Sequence, residues 1–490
     1  WSDTGRELAT LSEGGAGGVT AIAAAAAGGE LRAAVAGPEN AVAVAGPDSA
    51  EPLAVLYPTR RGWGGVDRLG RFDGDESALD DLAWSGEDIR MPVESFSAGY
   101  FEPGLLYKHL LAHDDFLTDP ASAIAEGVAP PPVTRLRITG QASAPGQPIE
   151  ISVSAEATDP LEILEIRLFH NAKRVGPEAI VEDSGEATER AIRFSVPALA
   201  GTNDFRAVAQ DTAGVDGAEA TASLPVGQER ESARLHLTSI GIDAYADRRA
   251  RLNYATADAR ALAEQLPRSA SGLFRQVERD LVLDGEATRR GIAGALEGLG
   301  SSDPDDAAVV FMAGHGQTLE GRWYFLGQEL SNLADLGQIR RVGLSSGELA
   351  AALVRVPARR VLLIIDSCYS GAVLGDFERF AQRRALHGLK RATGVVVIAA
   401  TRADQEAPEY SELGHGLLTY VLLQGLKKGE GGRYVADIAP RDGRLTVQEL
   451  KSFVETTVPD FAALLDRRVA RRGGSFAESV PVTPVGLAWG

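Results

Sequence analysis

Two residues of this chain could form a catalytic pair, and each follows a run of apolar residues. Cys368, the only cysteine, comes shortly after the apolar run 361–365, and His315 comes 53 residues earlier, shortly after the run 309–312. Short, purely apolar runs are typical of buried central strands. Because open α/β folds place their chemistry at the carboxyl ends of strands, we expect the thiol and the imidazole to meet there.

A cysteine beside a histidine can attack a carbonyl group. A free thiol has a pKa of about 8.5, so little thiolate exists at neutral pH unless a neighbouring imidazole takes the proton or stabilises the anion. We expect His315 to activate Cys368 in this way and then to protonate the leaving amine. The backbone N–H groups of Gly316 and Cys368 are the candidates for an oxyanion hole, since glycine permits close approach.

Other interpretations of these residues stay open. A cysteine after an apolar strand is often only a small buried hydrophobic residue. His415 is the main competitor for the base, but it precedes a predicted helix, so we interpret it as a residue at a helix N-terminus. His387 lies in a stretch rich in Lys and Arg, which predicts a solvated loop position.

The elements that must position this pair alternate between strands and helices from residue 235 onward. This alternation predicts a mostly parallel sheet covered by helices on both faces. The predicted strands are 235–243, 307–312, 361–365, 395–400 and an edge strand at 480–487, and the predicted helices are 254–266, 287–299, 416–426 and 446–455.

The part of the chain before residue 232 is predicted to be all-β. Period-2 alternation over 133–226 indicates an immunoglobulin-like sandwich after a stiff proline linker. Residues 3–11 resemble 48–56 at a period of 45, which is typical of one four-stranded blade of a WD40 propeller over 1–60, with an Ala/Gly-rich arm as the alternative. Residues 61–128 are predicted to be an irregular connector that includes a helix. The fold class is therefore multidomain, with an α/β domain at 232–490.

The composition limits the classes of partner and the kinds of site that can be expected. The chain has 490 residues and a formal net charge of −19, which argues against nucleic acid or an anionic membrane as its main partner. A single cysteine excludes internal disulfides and a cysteine-rich zinc site. No signal peptide is visible and the apolar patch near 21–28 is too short to span a bilayer, so we expect a cytoplasmic protein. Because the chain starts at Trp1, we expect a trimmed or partial sequence.

Four motifs carry a family resemblance. They are Leu-Thr-Ser-Ile-Gly-Ile-Asp at 237–243, Asn-Tyr-Ala-Thr-Ala-Asp-Ala-Arg at 253–260, Ala-Gly-His-Gly at 313–316 and Asp-Ser-Cys-Tyr-Ser-Gly at 366–371. Together they resemble the caspase-like cysteine peptidases, in particular the metacaspases and bacterial caspase-like proteins (peptidase family C14), in which such accessory domains also occur. A histidine about fifty residues before the cysteine is the caspase spacing. The chain departs from caspases proper, which have Gln-Ala-Cys at the nucleophile.

The resemblance implies a cysteine endopeptidase with basic specificity. Asp366 matches an acid that lines the first specificity pocket of metacaspases, and Asp258 matches a second. Two carboxylates in a narrow pocket favour Arg or Lys, and Arg can bind bidentately. Ala313 stands where metacaspases often have Ser. The loss of this polar contact leaves the preference between Arg and Lys open. Asp258 could instead complement a helix dipole, and Asp404 could border the same pocket.

Two further properties of the family, self-cleavage and dependence on calcium, can be compared with this sequence. The basic stretch 376–391 follows the predicted catalytic strand, where caspase-like enzymes carry a processing loop, although an exposed amphipathic helix is an equally good interpretation. Metacaspases are often calcium-dependent, but the acidic residues at 303–306 look like a solvated turn, so we expect no cofactor. The expected partners are peptides with a basic P1 residue and a protein bound by the predicted propeller blade. The alternative function is a catalytically silent caspase-like scaffold.

Overall fold

The computed structural model describes residues 21–27, 30–36, 41–46, 51–85, 90–120, 129–140, 142–158, 160–227, 233–369, 375–399, 413–429, 431–438 and 440–472. Asp404 and the predicted edge strand 480–487 lie outside these residues, as does the first copy of the 45-residue repeat. The backbone of Cys368 is described, but its side chain is not.

The first part of the chain forms a six-stranded antiparallel sheet whose strands follow one another in sequence order. The strands are β1 (Ala21–Ala27), β2 (Glu30–Ala36), β3 (Val42–Ala45), β4 (Ala54–Thr59), β5 (Gly62–Asp67) and β6 (Phe72–Gly74). The short elements that follow are α1 (Glu76–Leu79), β7 (Ala83–Ser85), β8 (Arg90–Pro92), α2 (Ser97–Tyr100) and α3 (Leu105–Leu110).

This sheet differs from the predicted four-stranded unit and irregular connector. Strands β5 and β6 fall in the stretch predicted to be irregular, yet they extend the same sheet. Glycine-rich strands give no alternating pattern. The glycines are needed here for packing, because a Cβ atom at Gly64 would lie 2.3 Å from the Leu82 side chain and one at Gly74 would lie 2.6 Å from the Trp63 carbonyl oxygen.

The second part consists of two four-stranded antiparallel sheets around one shared core. Its strands are β9 (Val133–Ile138), β10 (Pro148–Glu156), β11 (Ile163–His170), β12 (Lys173–Arg174), β13 (Ile180–Gly185), β14 (Glu189–Pro197), β15 (Gly201–Asp211) and β16 (Ala220–Val226). The sheet orders are β13-β14-β10-β9 and β12-β11-β15-β16. Ile149, Ile151 and Val153 alternate into the core, as the period-2 pattern predicts. The immunoglobulin-like assignment stays a prediction.

The C-terminal part is a mostly parallel sheet between helices. Its elements are β17 (Arg234–Gly241), α4 (Ala255–Ser269), β18 (Gln276–Leu283), α5 (Arg289–Gly298), β19 (Ala307–Leu319), β20 (Arg322–Leu326), α6 (Leu336–Val342), β21 (Gly343–Ser345), α7 (Ser346–Arg355), β22 (Arg360–Tyr369), α8 (Gly375–Thr393), β23 (Val396–Ala399), α9 (Leu417–Gly425) and α10 (Val447–Arg472). Strands β18, β17, β19, β22 and β23 are parallel neighbours in that order. Within the described residues, none of the helices has the length and apolar character needed to cross a bilayer.

Both faces of this sheet are buried. Val310 and Met312 of β19 pack in the cluster that includes residues of α5, α7 and α8. Val309 and Phe311 pack in the cluster that includes residues of α4, α9 and α10. The continuous apolar run in the sequence therefore reflects burial on both faces.

The two central strands are longer than predicted. Strand β19 continues to Leu319 and β22 continues to Tyr369, whereas the predicted strands end at 312 and 365. The extension of β19 pairs with β20, which runs antiparallel to it, and β22 stays paired with β19 as far as Gly316 and Tyr369. His315 and Cys368 consequently lie within strands and not in the turns that follow them.

Candidate active site

The sheet places the predicted base and nucleophile side by side. Strands β19 and β22 are parallel neighbours, and their register pairs the Cα atom of His315 with that of Cys368. Neighbouring strands lie about 4.8 Å apart. The two positions therefore meet near the carboxyl end of the sheet, where open α/β folds place their chemistry.

The imidazole of His315 is buried, and its orientation is defined by a backbone carbonyl. Its Nε2 lies 2.8 Å from the carbonyl oxygen of Ala250. Because a carbonyl can only accept a hydrogen bond, Nε2 must carry the proton, and in the neutral ring Nδ1 then carries the basic lone pair. Ala250 belongs to a 3-10 turn, Arg248–Ala250, in which the Asp247 carboxylate accepts a hydrogen bond from the Arg249 N–H.

Tyr245 supports the same histidine from another side. Its hydroxyl oxygen accepts the His315 backbone N–H over 2.8 Å and donates to the Leu326 carbonyl over 3.4 Å. The two ring centroids lie 4.9 Å apart. Tyr245 and Ala250 were both missed by the sequence analysis, because a backbone carbonyl leaves no side-chain signature and a single tyrosine after a motif is not distinctive.

The glycines on either side of His315 are required by packing. A Cβ atom at Gly316 would lie 2.4 Å from the indole Nε1 of the fully buried Trp323, and one at Gly314 would lie 2.7 Å from the Tyr245 hydroxyl oxygen. The sequence predicts that Gly316 is a glycine because a substrate approaches it closely. In the structure, the packing of Trp323 against this residue already requires a glycine. Its role in an oxyanion hole stays a proposal.

The two predicted pocket acids converge on the N-terminus of α9. Asp258 lies in the first turn of α4 and accepts the N–H of Gly416 over 3.0 Å. Asp366 of β22 accepts both the N–H and the hydroxyl of Thr419, over 3.1 Å and 2.6 Å. A Cβ atom at Gly416 would lie 2.9 Å from an Asp366 oxygen and 3.0 Å from an Asp258 oxygen, so the two carboxylates flank this residue.

Burial and mutual repulsion make these acids unusual. Burial, and secondly the nearby charge of Asp258, raise the pKa of Asp366 to about 7. Burial also raises the pKa of Asp258, although a hydrogen bond from His415 opposes the rise. Two carboxylates held together with little water are most stable with a cation between or beside them.

Such a cation can be supplied by His415. Its Nδ1 lies 2.7 Å from Oδ1 of Asp258, and its side chain is 25% exposed against 4% for the aspartate. Gly416 is the N-cap of α9, so His415 precedes that helix as the sequence predicts. The competing base is thus hydrogen-bonded to a predicted pocket acid.

Asp243 positions the helix that carries Asp258. Its carboxylate accepts the N–H groups of Ala255 and Thr256, over 2.8 Å and 3.1 Å, and so satisfies two exposed donors of the first turn of α4. The aspartate stands twelve residues before Ala255 in the sequence, too far for a local capping pattern to show this role.

The basic stretch after β22 is helical, as the alternative interpretation predicts, and it is not a loop. Its arginines and lysine are partly exposed and also pair with acids of the N-terminal parts. The ion pairs are Arg383–Asp73, Arg384–Glu102, Lys390–Glu76 and Arg391–Asp216. Spacings of three and four residues put these side chains on one face of α8, a helical pattern visible in the sequence.

His387 is not solvated as predicted. It lies on the same face of α8, and its ring centroid is 4.2 Å from that of Phe101. Burial lowers its pKa to about 3. An imidazole that stays neutral against an aromatic ring is a packing residue.

The acidic turn at 303–306 is also more ordered than predicted. Asp306 is buried and accepts the backbone N–H of Arg234 over 2.7 Å, and it lies 3.0 Å from the His236 ring nitrogen. Asp303 pairs with the Arg234 side chain. These acids hold the start of β17 rather than a solvated loop.

Residues 238–460 match the family model of the caspase domain. The matched span begins in β17, ends in α10 and includes His315, Cys368 and the two predicted pocket acids. The match supports a caspase domain in the C-terminal part and, with it, a caspase-like cysteine peptidase.

Curated proteins and solved structures give no further support for a family or fold. No curated protein matches the chain significantly. Among solved structures, the fibronectin(III)-like modules of Clostridium thermocellum CbhA are 15% identical over 19% of this chain and 99% of theirs, with a TM-score of 0.15. Titin M4 and the bacterial hydrophobin BslA are each 15% identical over 21% of this chain, covering 98% and 99% of their own chains, with TM-scores of 0.15. These scores are too low to argue a shared fold.

Proposed function

We propose that this chain is a cysteine endopeptidase that hydrolyses peptide bonds after Arg or Lys, with Cys368 as nucleophile and His315 as base. The observation that carries the proposal is the register of β19 and β22, which pairs the two Cα atoms. The hydrogen bond from His315 Nε2–H to the Ala250 carbonyl supports it, since it makes Nδ1 the basic nitrogen.

The proposed reaction follows from these groups. Nδ1 of His315 takes the thiol proton, and the Cys368 thiolate attacks the carbonyl carbon of the scissile bond. The resulting oxyanion is stabilised by the N–H groups of Gly316 and Cys368. When the tetrahedral intermediate collapses, the C–N bond breaks and the amine leaves with the proton from the imidazolium. Water, deprotonated by the same imidazole, then hydrolyses the thioester and regenerates the thiol.

The basic specificity is supported by the acids beside the nucleophile. Asp366 stands two residues before Cys368 on β22, so the period-2 alternation of a strand gives positions 366 and 368 the same face of the sheet. Asp258 supplies a second carboxylate at the same place. Ala313, the Cα partner of Asp366, is buried and offers no polar contact, which leaves the preference between Arg and Lys open. Asp404 is proposed as a further border of this pocket.

Peptide hydrolysis tests the proposal directly. Fluorogenic peptides ending in Arg, Lys, Asp or the neutral arginine isostere citrulline are offered to the protein and to its Cys368→Ala and His315→Ala variants. We expect turnover of Arg and Lys peptides only, its loss in both variants, and labelling of Cys368 by an arginine-directed electrophile. No turnover and no labelling would favour the silent scaffold, and preference for Asp would refute the role of the two acids.

A further inference from the structure

We propose that His415 is a resident counter-cation of Asp258 that a basic P1 side chain displaces, so that this histidine sets how strongly the pocket accepts its substrate. The inference deepens the proposed function and rests on it. It starts from the contact between Nδ1 of His415 and Oδ1 of Asp258 at 2.7 Å.

The two side chains of this contact differ in their exposure to solvent. The Asp258 side chain is 4% exposed and that of His415 is 25% exposed. The imidazole therefore lies on the solvent side of the carboxylate. A cation that approaches Asp258 from solvent meets the histidine first.

The hydrogen-bond donors around the two acids differ in their freedom to move. Among the described residues, the donors to these carboxylates are His415, the backbone N–H of Gly416, and Thr419. The Gly416 and Thr419 donors are fixed by the start of α9. His415 alone can change its charge or turn away, since its side chain has rotatable bonds and access to water.

In the part of the chain that the structure describes, the charged groups that act on this contact are acidic. Asp258 of α4 and Asp366 of β22 lie closest, and Asp243, which precedes α4, adds a weaker negative charge near Asp258. These acids would compensate a positive charge on the imidazole in the unoccupied pocket. A guanidinium or ammonium group that enters beside Asp258 would meet that positive charge, so binding must release the proton or move the ring.

The consequence is competition between protons and substrate. A charged imidazole occupies Asp258, and a basic P1 side chain should then bind weakly. A neutral ring yields more easily. The effect acts on substrate binding and leaves the Cys368–His315 chemistry unchanged, so it should appear in KM and not in kcat.

Kinetics of His415→Gln give the first test. Glutamine keeps a hydrogen-bond donor but cannot become charged. For an Arg peptide we expect KM at pH 6 to fall several-fold relative to wild type and kcat to stay within about twofold, while the change of KM with pH that comes from Asp366 remains. His113→Gln, remote from the site, should match wild type. A KM that rises equally at all pH values would mean that His415 only positions Asp258, and a large loss of kcat would make it part of the catalytic machinery; either outcome overturns the proposal.

A second test does not depend on turnover. In the Cys368→Ala protein, the His415 ring resonances are assigned by their loss in Cys368→Ala/His415→Gln and titrated by NMR. N-acetylargininamide should lower the pKa of His415, whereas N-acetylcitrullinamide should not. Failure of N-acetylargininamide to bind, or binding without this shift, overturns the inference.

The two tests separate the inference from the proposed function. If the NMR shift occurs but no peptide is cleaved, the pocket assignment stands and the peptidase proposal fails. If Arg peptides are cleaved but the His415 pKa does not respond, the peptidase stands and the role of His415 fails.

Discussion

His315 donates its Nε2–H to the backbone carbonyl of Ala250 over 2.8 Å, so in the neutral ring the basic lone pair lies on Nδ1. The 3-10 turn of Ala250 thus decides the tautomer of a residue 65 positions away. The same carbonyl can stabilise the imidazolium that forms when Nδ1 accepts the thiol proton. Tyr245 fixes the backbone of the histidine from the other side.

Tyr245→Phe tests this support. The variant keeps the ring but removes the oxygen that accepts the buried His315 N–H, and an unsatisfied buried donor costs about 1–3 kcal/mol. We expect the free energy of unfolding in urea to fall by that amount and kcat to fall because the imidazole is less well placed. Tyr107→Phe on the partly exposed surface of α3 is the control. Equal stability of Tyr245→Phe and wild type would show that the hydroxyl does not hold β19.

Gly316→Ala tests the packing behind the catalytic histidine. The new methyl group would lie 2.4 Å from Trp323 Nε1, and overpacking of a core typically costs about 1–3 kcal/mol. We expect thermal unfolding at a lower temperature together with reduced activity, because β19 must shift at His315. Gly294→Ala within α5 is the matched control: no atom lies within 4 Å of the added carbon, and alanine should stabilise the helix by about 0.5–1 kcal/mol. If both variants behave alike, the close contact with Trp323 is not important.

Much of this architecture can be predicted from the sequence. The elements that were not predicted were missed for physical reasons. The parallel strands were predicted because burial on both faces makes their sequences continuously apolar. The glycine-rich strands β5 and β6 were missed because they lack that pattern, and the edge strand β18 (Gln276–Leu283) because charged residues interrupt its alternation.

The candidate site also contains some residues that the sequence predicts and others that it does not. The side chains proposed to do the chemistry, among them His315 and the two acids, could be identified as candidates from motifs and spacing. The groups that orient them, the Ala250 carbonyl and the Asp243 carboxylate, act across long sequence separations, and only the tertiary structure reveals them. The basic face of α8 shows a third case: its helical spacing was visible, but the acids that cover it lie up to 310 positions away.

We expect the ion pairs of α8 to protect this helix from cleavage by the chain itself. A peptidase specific for basic residues finds Arg383 and Arg384 in a folded helix, where both guanidinium groups already bind the acids Asp73 and Glu102. Glu102→Gln leaves the buried Lys108 without its ionic partner, and breaking a buried pair costs about 3–5 kcal/mol. We expect faster cleavage between residues 376 and 391 in this variant, measured by mass spectrometry after incubation alone and with trypsin.

The control for that experiment is Asp81→Asn, which breaks the exposed pair with Arg61. Exposed pairs contribute little to stability because solvent screens them, so its cleavage rate should match wild type. Equal rates for Glu102→Gln and wild type would show that the N-terminal acids do not protect α8. Cleavage that persists in Cys368→Ala without trypsin would point to a different nucleophile.

The raised pKa of Asp366 predicts a conflict between stability and function. Because the pKa in the folded protein is about 7, against about 3.9 in an unfolded chain, the folded state holds a proton that the unfolded chain releases between these values. Stability should therefore fall as pH rises from about 4 to 7, on the order of a few kcal/mol at most, while the growing negative charge improves binding of a basic P1 residue. Asp366→Asn should remove this fall and be more stable than wild type at pH 8 in urea unfolding, yet show a higher KM for Arg peptides. Stability that rises for wild type over the same pH range would mean that the carboxylate is ionised and well paired, and the pocket would then be less available to a substrate cation than proposed.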